Sequence, residues 1–276
     1  MNKVIDANLI DNILLEGKKS VNKKDAAIKC LQCLDLTSLS STDNEKTITE
    51  LIQNSYVNEL EGLKVAGLCV YPNFLKVLNE KLLDSEIRKI VVAGYFPSGQ
   101  NPIELKLNEI KFAIDNGASE VDIVINRGAF LEGSYDIVSQ ETFKAKEICK
   151  DKILKVILEV GELGYNENIN KASKIAMEAG ADFIKTSTGK IEKGADVYSF
   201  AVMLKSIKEF KEKNGVLKSI KAAGGISTFE QALNYYLLFS HYIGKEYLNP
   251  EYFRIGGSRL RDDLIKFIIN QNPSNK

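Results

Sequence analysis

From about residue 30 onward, short β-rich runs alternate with longer segments of 3.6-residue period, and this alternation restricts the fold more than any other feature. The strand candidates, in order, are "CLDLTSL", "LKVAGLCVY", "KIVVAGYF", "EVDIVIN", "ILKVILEV", "DFIKTST", "SIKAAGGI" and "YFRIGGS". Helical patterns separate them, among them "TITELIQNSYVNEL", "NFLKVLNEKLL", "ELKLNEIKFAIDNG" and "FEQALNYYLLFSHYIG". Strict alternation implies parallel strands with right-handed crossovers, and the eightfold count predicts closure into a (β/α)8 TIM barrel. A chain of 276 residues suffices for one such domain over residues 1–276, with the barrel proper spanning about 30–268. Several helices end on glycine after a polar residue, as in "IDNG", "MEAG" and "EKNG", which marks their C-terminal caps. The first 25 or so residues are expected to form an extra amphipathic helical segment that closes the bottom of the barrel or packs on its side. The polar tail "NQNPSNK" is expected to fray.

Three ionisable residues interrupt strands whose other residues favour burial. Lys185 ends "DFIK", Lys221 ends "SIK", and Asp122 lies inside "EVDIVIN", on the sixth, seventh and fourth strands. Side chains alternate across a strand, so Phe183, Lys185 and Ser187 share one face and Ile184 and Thr186 the other. Polar residues late in the strands of an α/β barrel sit where active sites form. Burial and a second ammonium nearby both disfavour a protonated lysine, and catalytic lysines are tuned towards roughly 7 to 8. The free amine attacks a carbonyl to form a Schiff base, an electron sink for breaking the adjacent carbon–carbon bond. Asp122 would supply the negative partner and a proton-transfer group. Taken alone, each strand lysine also reads as a strand-end ammonium reaching solvent, and Asp122 as a structural ion pair.

The loops after the later strands are rich in glycine. "TSTGK" follows the sixth strand, "AAGGIST" ends the seventh, and "IGGSRL" follows the eighth and opens a helix. Glycine lets backbone N–H groups approach an anion, and barrels commonly bind phosphate after the seventh and eighth strands. Gly224, Gly225, Gly256, Gly257 and Ser258 are therefore candidate phosphate ligands, with Gly189 and Lys190 closing the cup.

Together "GADFIKTSTGK", "IKAAGGIST", "EVDIVIN", "LEVGELG" and "DLTSL" resemble the deoxyribose-phosphate aldolase family, over about residues 30 to 268. That family folds as an α/β barrel and cleaves 2-deoxy-D-ribose 5-phosphate reversibly to acetaldehyde and D-glyceraldehyde 3-phosphate through a class I, metal-free Schiff base. The resemblance implies that Lys185 is the Schiff-base lysine, Lys221 the second lysine that perturbs its pKa, and Asp122 the acid assisting proton transfer. It places the phosphate site on Gly189, Lys190, Gly224, Gly225, Gly257 and Ser258. It also puts Asp35, Thr37 and Cys69 near the substrate end of the barrel, Cys69 either as a reactive thiol lining the pocket or as a buried structural cysteine. Two departures stand out. Some members end in a tyrosine that helps move the proton, whereas no tyrosine follows Tyr252 here. Ser227 stands where several relatives carry arginine, and Arg259 where some carry a second serine beside the phosphate.

Composition narrows the alternatives. Lysine plus arginine and aspartate plus glutamate each number 37, so no global field attracts nucleic acid or a membrane. Nothing approaches the roughly 18 apolar residues of a transmembrane helix, and the start lacks a signal-peptide core, which predicts a cytoplasmic protein. Four cysteines do not make a disulfide scaffold, and the C-x-x-C pair Cys30 and Cys33 has no second pair to complete a zinc site. The single histidine, His241, ends an amphipathic helix and reads as structural. The expected partner is a small sugar phosphate, with no metal, no cofactor, and a homo-oligomer, dimer or tetramer, left open. Competing readings are another Schiff-base sugar-phosphate aldolase, a non-catalytic phosphate-binding barrel and, more weakly, a pyridoxal-phosphate enzyme.

Overall fold

The computed structural model describes residues 4–271 apart from Glu59, Glu61 and Ser85, so the expectation for the last five residues lies outside the described chain. Eight strands form a closed parallel barrel: β1 (Leu34–Thr37), β2 (Gly67–Val70), β3 (Arg88–Val92), β4 (Glu120–Val124), β5 (Ile153–Ile157), β6 (Phe183–Lys185), β7 (Ser219–Ala223) and β8 (Phe253–Gly257). Each pairs with the next in sequence, and β8 returns to β1 with Asp35 opposite Gly256. The fold is thus the (β/α)8 TIM barrel that the alternation predicts.

Period-two alternation divides the strand residues between two environments. Leu34, Leu68, Val91, Val121, Leu154, Val156, Ile184 and Ile220 face outward into the apolar layer shared with the helices. Inside the barrel, Leu39, Cys69, Ile90 and Val92 form a small separate apolar cluster. Inward positions of β4 to β8 carry an unusual number of charges: Glu120, Asp122, Lys155, Lys185, Lys221 and Arg254 are all buried. Such groups are rarely buried unless paired, so the interior of this barrel is specified by ion pairs.

Caps define the helix ends that position the loops. The helix Val197–Asn214 starts on Asp196, whose side chain accepts from Tyr198 and Ser199 N–H, and stops at Gly215 with φ 73°. The helix Phe229–Tyr242 opens with a capping box between Thr228 and Gln231. His241 lies in its last turn, edge-on to Tyr242. At the N-terminus two helices precede the barrel, α1 (Ala7–Ser20) and α2 (Lys23–Gln32). α1 packs on the side of the barrel against the helices Val197–Asn214 and Phe229–Tyr242, and α2 packs against Phe229–Tyr242 and Leu260–Asn270. No helix among the described residues is long and apolar enough to cross a membrane.

One expected element is divided. The pattern "TITELIQNSYVNEL" predicts a single helix, but α3 (Glu45–Gln53) stops early and Tyr56–Val57 pairs with Leu63–Lys64 as a short antiparallel hairpin. Asn54 and Ser55 compete with helical hydrogen bonding, and the Ser55 hydroxyl bonds back to the Ile52 carbonyl at 2.6 Å. Arg261 then holds the hairpin by donating to the carbonyls of Asn54 and Tyr56. The predicted strand "LKVAGLCVY" is divided for the same reason, its first two residues serving the hairpin and Gly67–Val70 the barrel.

Candidate active site

β4, β6 and β7 bring Asp122, Lys185 and Lys221 together. Lys185 and Lys221 are register partners on adjacent strands, so their side chains leave the sheet side by side. Both donate to one oxygen: Asp122 Oδ2 accepts from Lys185 Nζ at 2.8 Å and from Lys221 Nζ at 2.9 Å. Asp122 Oδ1 accepts from a third ammonium, Lys155 of β5, at 2.9 Å.

The two lysines on Asp122 Oδ2 differ in what else they touch. Lys221 Nζ also lies 2.6 Å from Asp35 Oδ2, an ion-pair distance whose angle leaves that oxygen without an aligned hydrogen bond. Lys185 has no second carboxylate among its pairs. Burial opposes the charged form of both. At Lys221 the combined fields of Asp122 and Asp35 outweigh burial and hold the ammonium well above the ordinary lysine range. At Lys185 burial is the largest influence, Asp122 opposes it, and the ammonium of Lys221 lowers the pKa further, so the net shift is downward. The lowering by Lys221 ranks behind both burial and the opposing field of Asp122. Asp122, gripped by three ammonium groups, is held well below the usual carboxylate range although burial acts to raise it.

The pairing continues towards the N-terminal end of the barrel. Lys155 bridges Asp122 and Glu120; Arg254 bridges Glu120, at 2.8 Å, and Asp35, at 2.6 Å; Arg88 reaches Glu120 at 2.9 Å. The Phe183 ring lies under both Lys155 and Arg254. Within this connected network three buried carboxylates, Asp35, Glu120 and Asp122, face four buried cations, Lys155, Lys185, Lys221 and Arg254. One cation is thus in excess, and Lys185, the one of the four that pairs with a single carboxylate, is the supernumerary charge; an uncompensated charge in this interior is costly. Geometry and charge balance agree that Lys185 is the amine most readily freed of its proton.

Above this network opens a cleft of about 580 Å3, at the C-terminal ends of the strands. Lys185 and Lys221 reach its floor, and Thr37, Gly189, Lys190, Gly224, Gly225, Gly257 and Ser258 line its walls. The residues proposed from sequence for the phosphate cup, Gly256 included, are thus brought to one cavity, together with Ser227 and Arg259. Gly224 adopts φ 99°, and a Cβ there would meet Gly194 Cα at 3.0 Å, so only glycine lets these loops close together. A Cβ on Gly256 would crowd Lys221 Cε at 3.1 Å. Lys190 spans the cleft to the carbonyl of Leu39. Cys69 does not line the cavity: it is fully buried against Leu39, Ile90 and Val92, and burial pushes its thiol up. Its surroundings are those of a structural cysteine. Cys30 and Cys33 are likewise buried free thiols, and no group of three metal-ligating side chains occurs among the described residues.

The sequence reading did not single out Lys155, Glu120 or Arg254. The signal was present: Lys155 and Arg254 lie between apolar neighbours in "ILKVI" and "YFRIG", and Glu120 opens the apolar run of "SEVDI". Glu120 also sits two residues before Asp122 and shares its face. Glu159 of "LEVGELG" is fully buried beside the loop that follows Lys185.

Fold and site together define a parallel α/β barrel with a deprotonation-prone lysine at the floor of a polar cleft. Residues 29–264 match the model of the DeoC/LacD family aldolases. The chain is 37% identical over 274 residues to the deoxyribose-phosphate aldolase of Homo sapiens, covering 93% of this chain and 86% of that protein. It is 36% identical over 272 residues to that of Bos taurus, with the same coverages of 93% and 86%. The solved deoxyribose phosphate aldolase of Aeropyrum pernix shares the fold with a TM-score of 0.69 at 24% identity, over 97% of this chain and 100% of that one. The chain belongs to the DeoC/LacD family of aldolases.

Proposed function

We propose that this aldolase cleaves 2-deoxy-D-ribose 5-phosphate reversibly to D-glyceraldehyde 3-phosphate and acetaldehyde, through a Schiff base on Lys185. The observation that carries the assignment is the asymmetry of the two lysines on Asp122 Oδ2: Lys221 has a second carboxylate, and Lys185 does not. In the cleavage direction, the free amine of Lys185 adds to the C1 aldehyde, and loss of water from the carbinolamine leaves an iminium. Asp122, acting through water, moves the protons of these steps. The iminium restores a fourth buried cation beside three carboxylates. Breaking the C2–C3 bond sends its electron pair into that cation and gives a neutral enamine, while the C3 hydroxyl loses its proton to form the aldehyde of glyceraldehyde 3-phosphate. The charge balance of the barrel thus favours the bond-breaking step. Protonation of the enamine at C2 and hydrolysis release acetaldehyde and return the amine.

The phosphate is held by the loops after β6, β7 and β8, at Gly189, Lys190, Gly224, Gly225, Gly257 and Ser258. Arg259 supplies the matching charge. Of the cations lining the cleft, Lys185 and Lys221 are bound to carboxylates and Lys190 to a carbonyl, whereas Arg259 forms no ion pair or hydrogen bond among the described residues. A planar guanidinium suits a phosphate dianion. The same reading places the protein in the cytoplasm, and as a dimer or tetramer, which sedimentation velocity would contradict by giving the mass of a single chain.

Borohydride reduction in the presence of 2-deoxyribose 5-phosphate, followed by peptide mapping, tests the assignment. The expected result is one reduced adduct, on Lys185, formed equally well with chelator present. An adduct on Lys221, or turnover without any adduct, would overturn it.

A further inference from the structure

Glu159 follows β5 and opens the four-residue helix Val160–Leu163 in a left-handed conformation, φ 58° and ψ 61°. Side chains other than glycine seldom adopt this region, and when they do the surroundings hold them there. Here the side chain is fully buried, and three donors converge on its carboxylate. They are the Thr188 N–H at 3.2 Å, the Thr188 hydroxyl, and Arg127 Nη1 at 3.4 Å. Thr188 Oγ1 accepts in turn from the Lys190 N–H at 3.1 Å. Arg127 extends the connection: it pairs with Glu162 at 2.7 Å and donates to the carbonyls of Pro97 and Ser98, both at 3.1 Å. Four loops, those after β3, β4, β5 and β6, are therefore fastened through one buried carboxylate. On its other side the β6 loop is held by the Thr186 hydroxyl, which bonds the backbone of Ala223.

We infer that Glu159 is a positioning residue that sets the segment Thr188–Lys190 for the phosphate of the substrate. It does not line the cleft and acts through Thr188, which does. The strained backbone has a geometric purpose. The left-handed turn at Glu159 aims its carboxylate at the Thr188 N–H and hydroxyl, and the hydroxyl then orients the backbone leading to Gly189 and Lys190. The inference rests on the phosphate-cup reading above, because its effect is on recognition of phosphate and not on the amine chemistry of Lys185.

The test compares acetaldehyde release from 2-deoxyribose 5-phosphate and from 2-deoxyribose, for the parent and for Glu159→Gly. Glycine accepts the backbone conformation without strain, so this substitution removes the carboxylate while relieving the turn. The expected result is that the ratio of kcat/KM for the phosphorylated over the unphosphorylated sugar falls about tenfold, chiefly through KM, as befits loss of one charge-assisted anchor. The acidic limb of the pH profile stays in place, because the lysine network is untouched. Glu159→Gln, which keeps an acceptor for the Thr188 N–H, restores most of the ratio. An equal loss on both sugars would mark Glu159 as merely structural and overturn the inference, as would an unchanged ratio. Should Glu159→Gly fail to fold, Arg127→Met measures the same quantity from the far side of the carboxylate, with a smaller fall expected and an unchanged ratio overturning the inference. A parent that shows no preference for the phosphorylated sugar overturns the phosphate-cup reading itself, and this inference with it.

Discussion

At the scale of single residues, two chemically identical side chains are distinguished by one additional neighbour. Lys185 and Lys221 share Asp122 Oδ2, and Asp35 beside Lys221 alone decides which remains an ammonium. Lys221→Leu removes a positive neighbour from Lys185 and leaves Asp122 more available to it, so the pKa of Lys185 rises. Free amine at neutral pH becomes scarcer: kcat/KM at pH 7 should fall at least tenfold and recover as the pH is raised, with the acidic limb displaced upward. A pH profile coincident with the parent's would show that Lys221 does not tune the amine. Charge balance makes a second prediction. Lys155→Met removes the cation that bridges Glu120 and Asp122 Oδ1, leaving that oxygen unpaired in the interior, and should cost about 3–5 kcal/mol in urea unfolding. Lys185→Met removes the supernumerary cation; it should abolish turnover yet leave stability unchanged or raised. If both substitutions destabilise equally, the balance drawn here is wrong.

At the scale of elements, the site is made by strands that deliver charge and by loops that deliver backbone. β6 is only three residues long, and Lys185 is its last, so the amine stands where strand pairing ends and the glycine-rich loop begins. Arg259 occupies the N-cap position of the helix Leu260–Asn270, exposed at the cleft wall. If it meets the phosphate charge, Arg259→Ser should raise KM for 2-deoxyribose 5-phosphate about tenfold or more with a smaller change in kcat. Arg259→Lys should recover part of the loss, and unaltered affinity in both would move the charge to Lys190. The strands and helices were legible in the sequence because burial on alternate faces imposes a period, and glycine stops such as Gly215 carry a positive φ. The division of one expected helix into α3 and a hairpin was not, since Ser55 turns back onto the Ile52 carbonyl and Arg261, distant in sequence, fixes the alternative.

At the scale of the whole molecule, the barrel interior makes stability depend on pH with a definite sign. Asp35, Glu120 and Asp122 all have folded pKa values lowered, by cationic partners acting against burial. The unfolded values are about 3.9 for Asp and 4.3 for Glu, so below these the unfolded chain binds more protons than the native one. The stabilisation is complete above about pH 5 and is lost as pH falls towards the folded values. The urea midpoint should therefore hold from pH 7 to about pH 5 and drop steeply below, and the drop should be smaller in a variant with fewer buried pairs, such as Lys155→Met. A midpoint that stays level to pH 3 would contradict the pairing.

Strand number, strand order and the candidacy of Lys185, Lys221, Asp122 and the glycine-rich loops followed from the sequence alone, because each rests on local rules: side-chain period, turn chemistry, and the rarity of charge among residues that must be buried. Three things awaited the tertiary structure. The burial of Cys69 depends on Leu39, Ile90 and Val92 from other strands and loops. The pairing of Lys155, Glu120 and Arg254 depends on which inward positions face one another once the barrel closes. The division of labour between the two lysines depends on Asp35, which lies 186 positions from Lys221 in the chain and 2.6 Å from it in space. Electrostatic roles follow distance and dielectric, and neither is written in the spacing of residues along a chain.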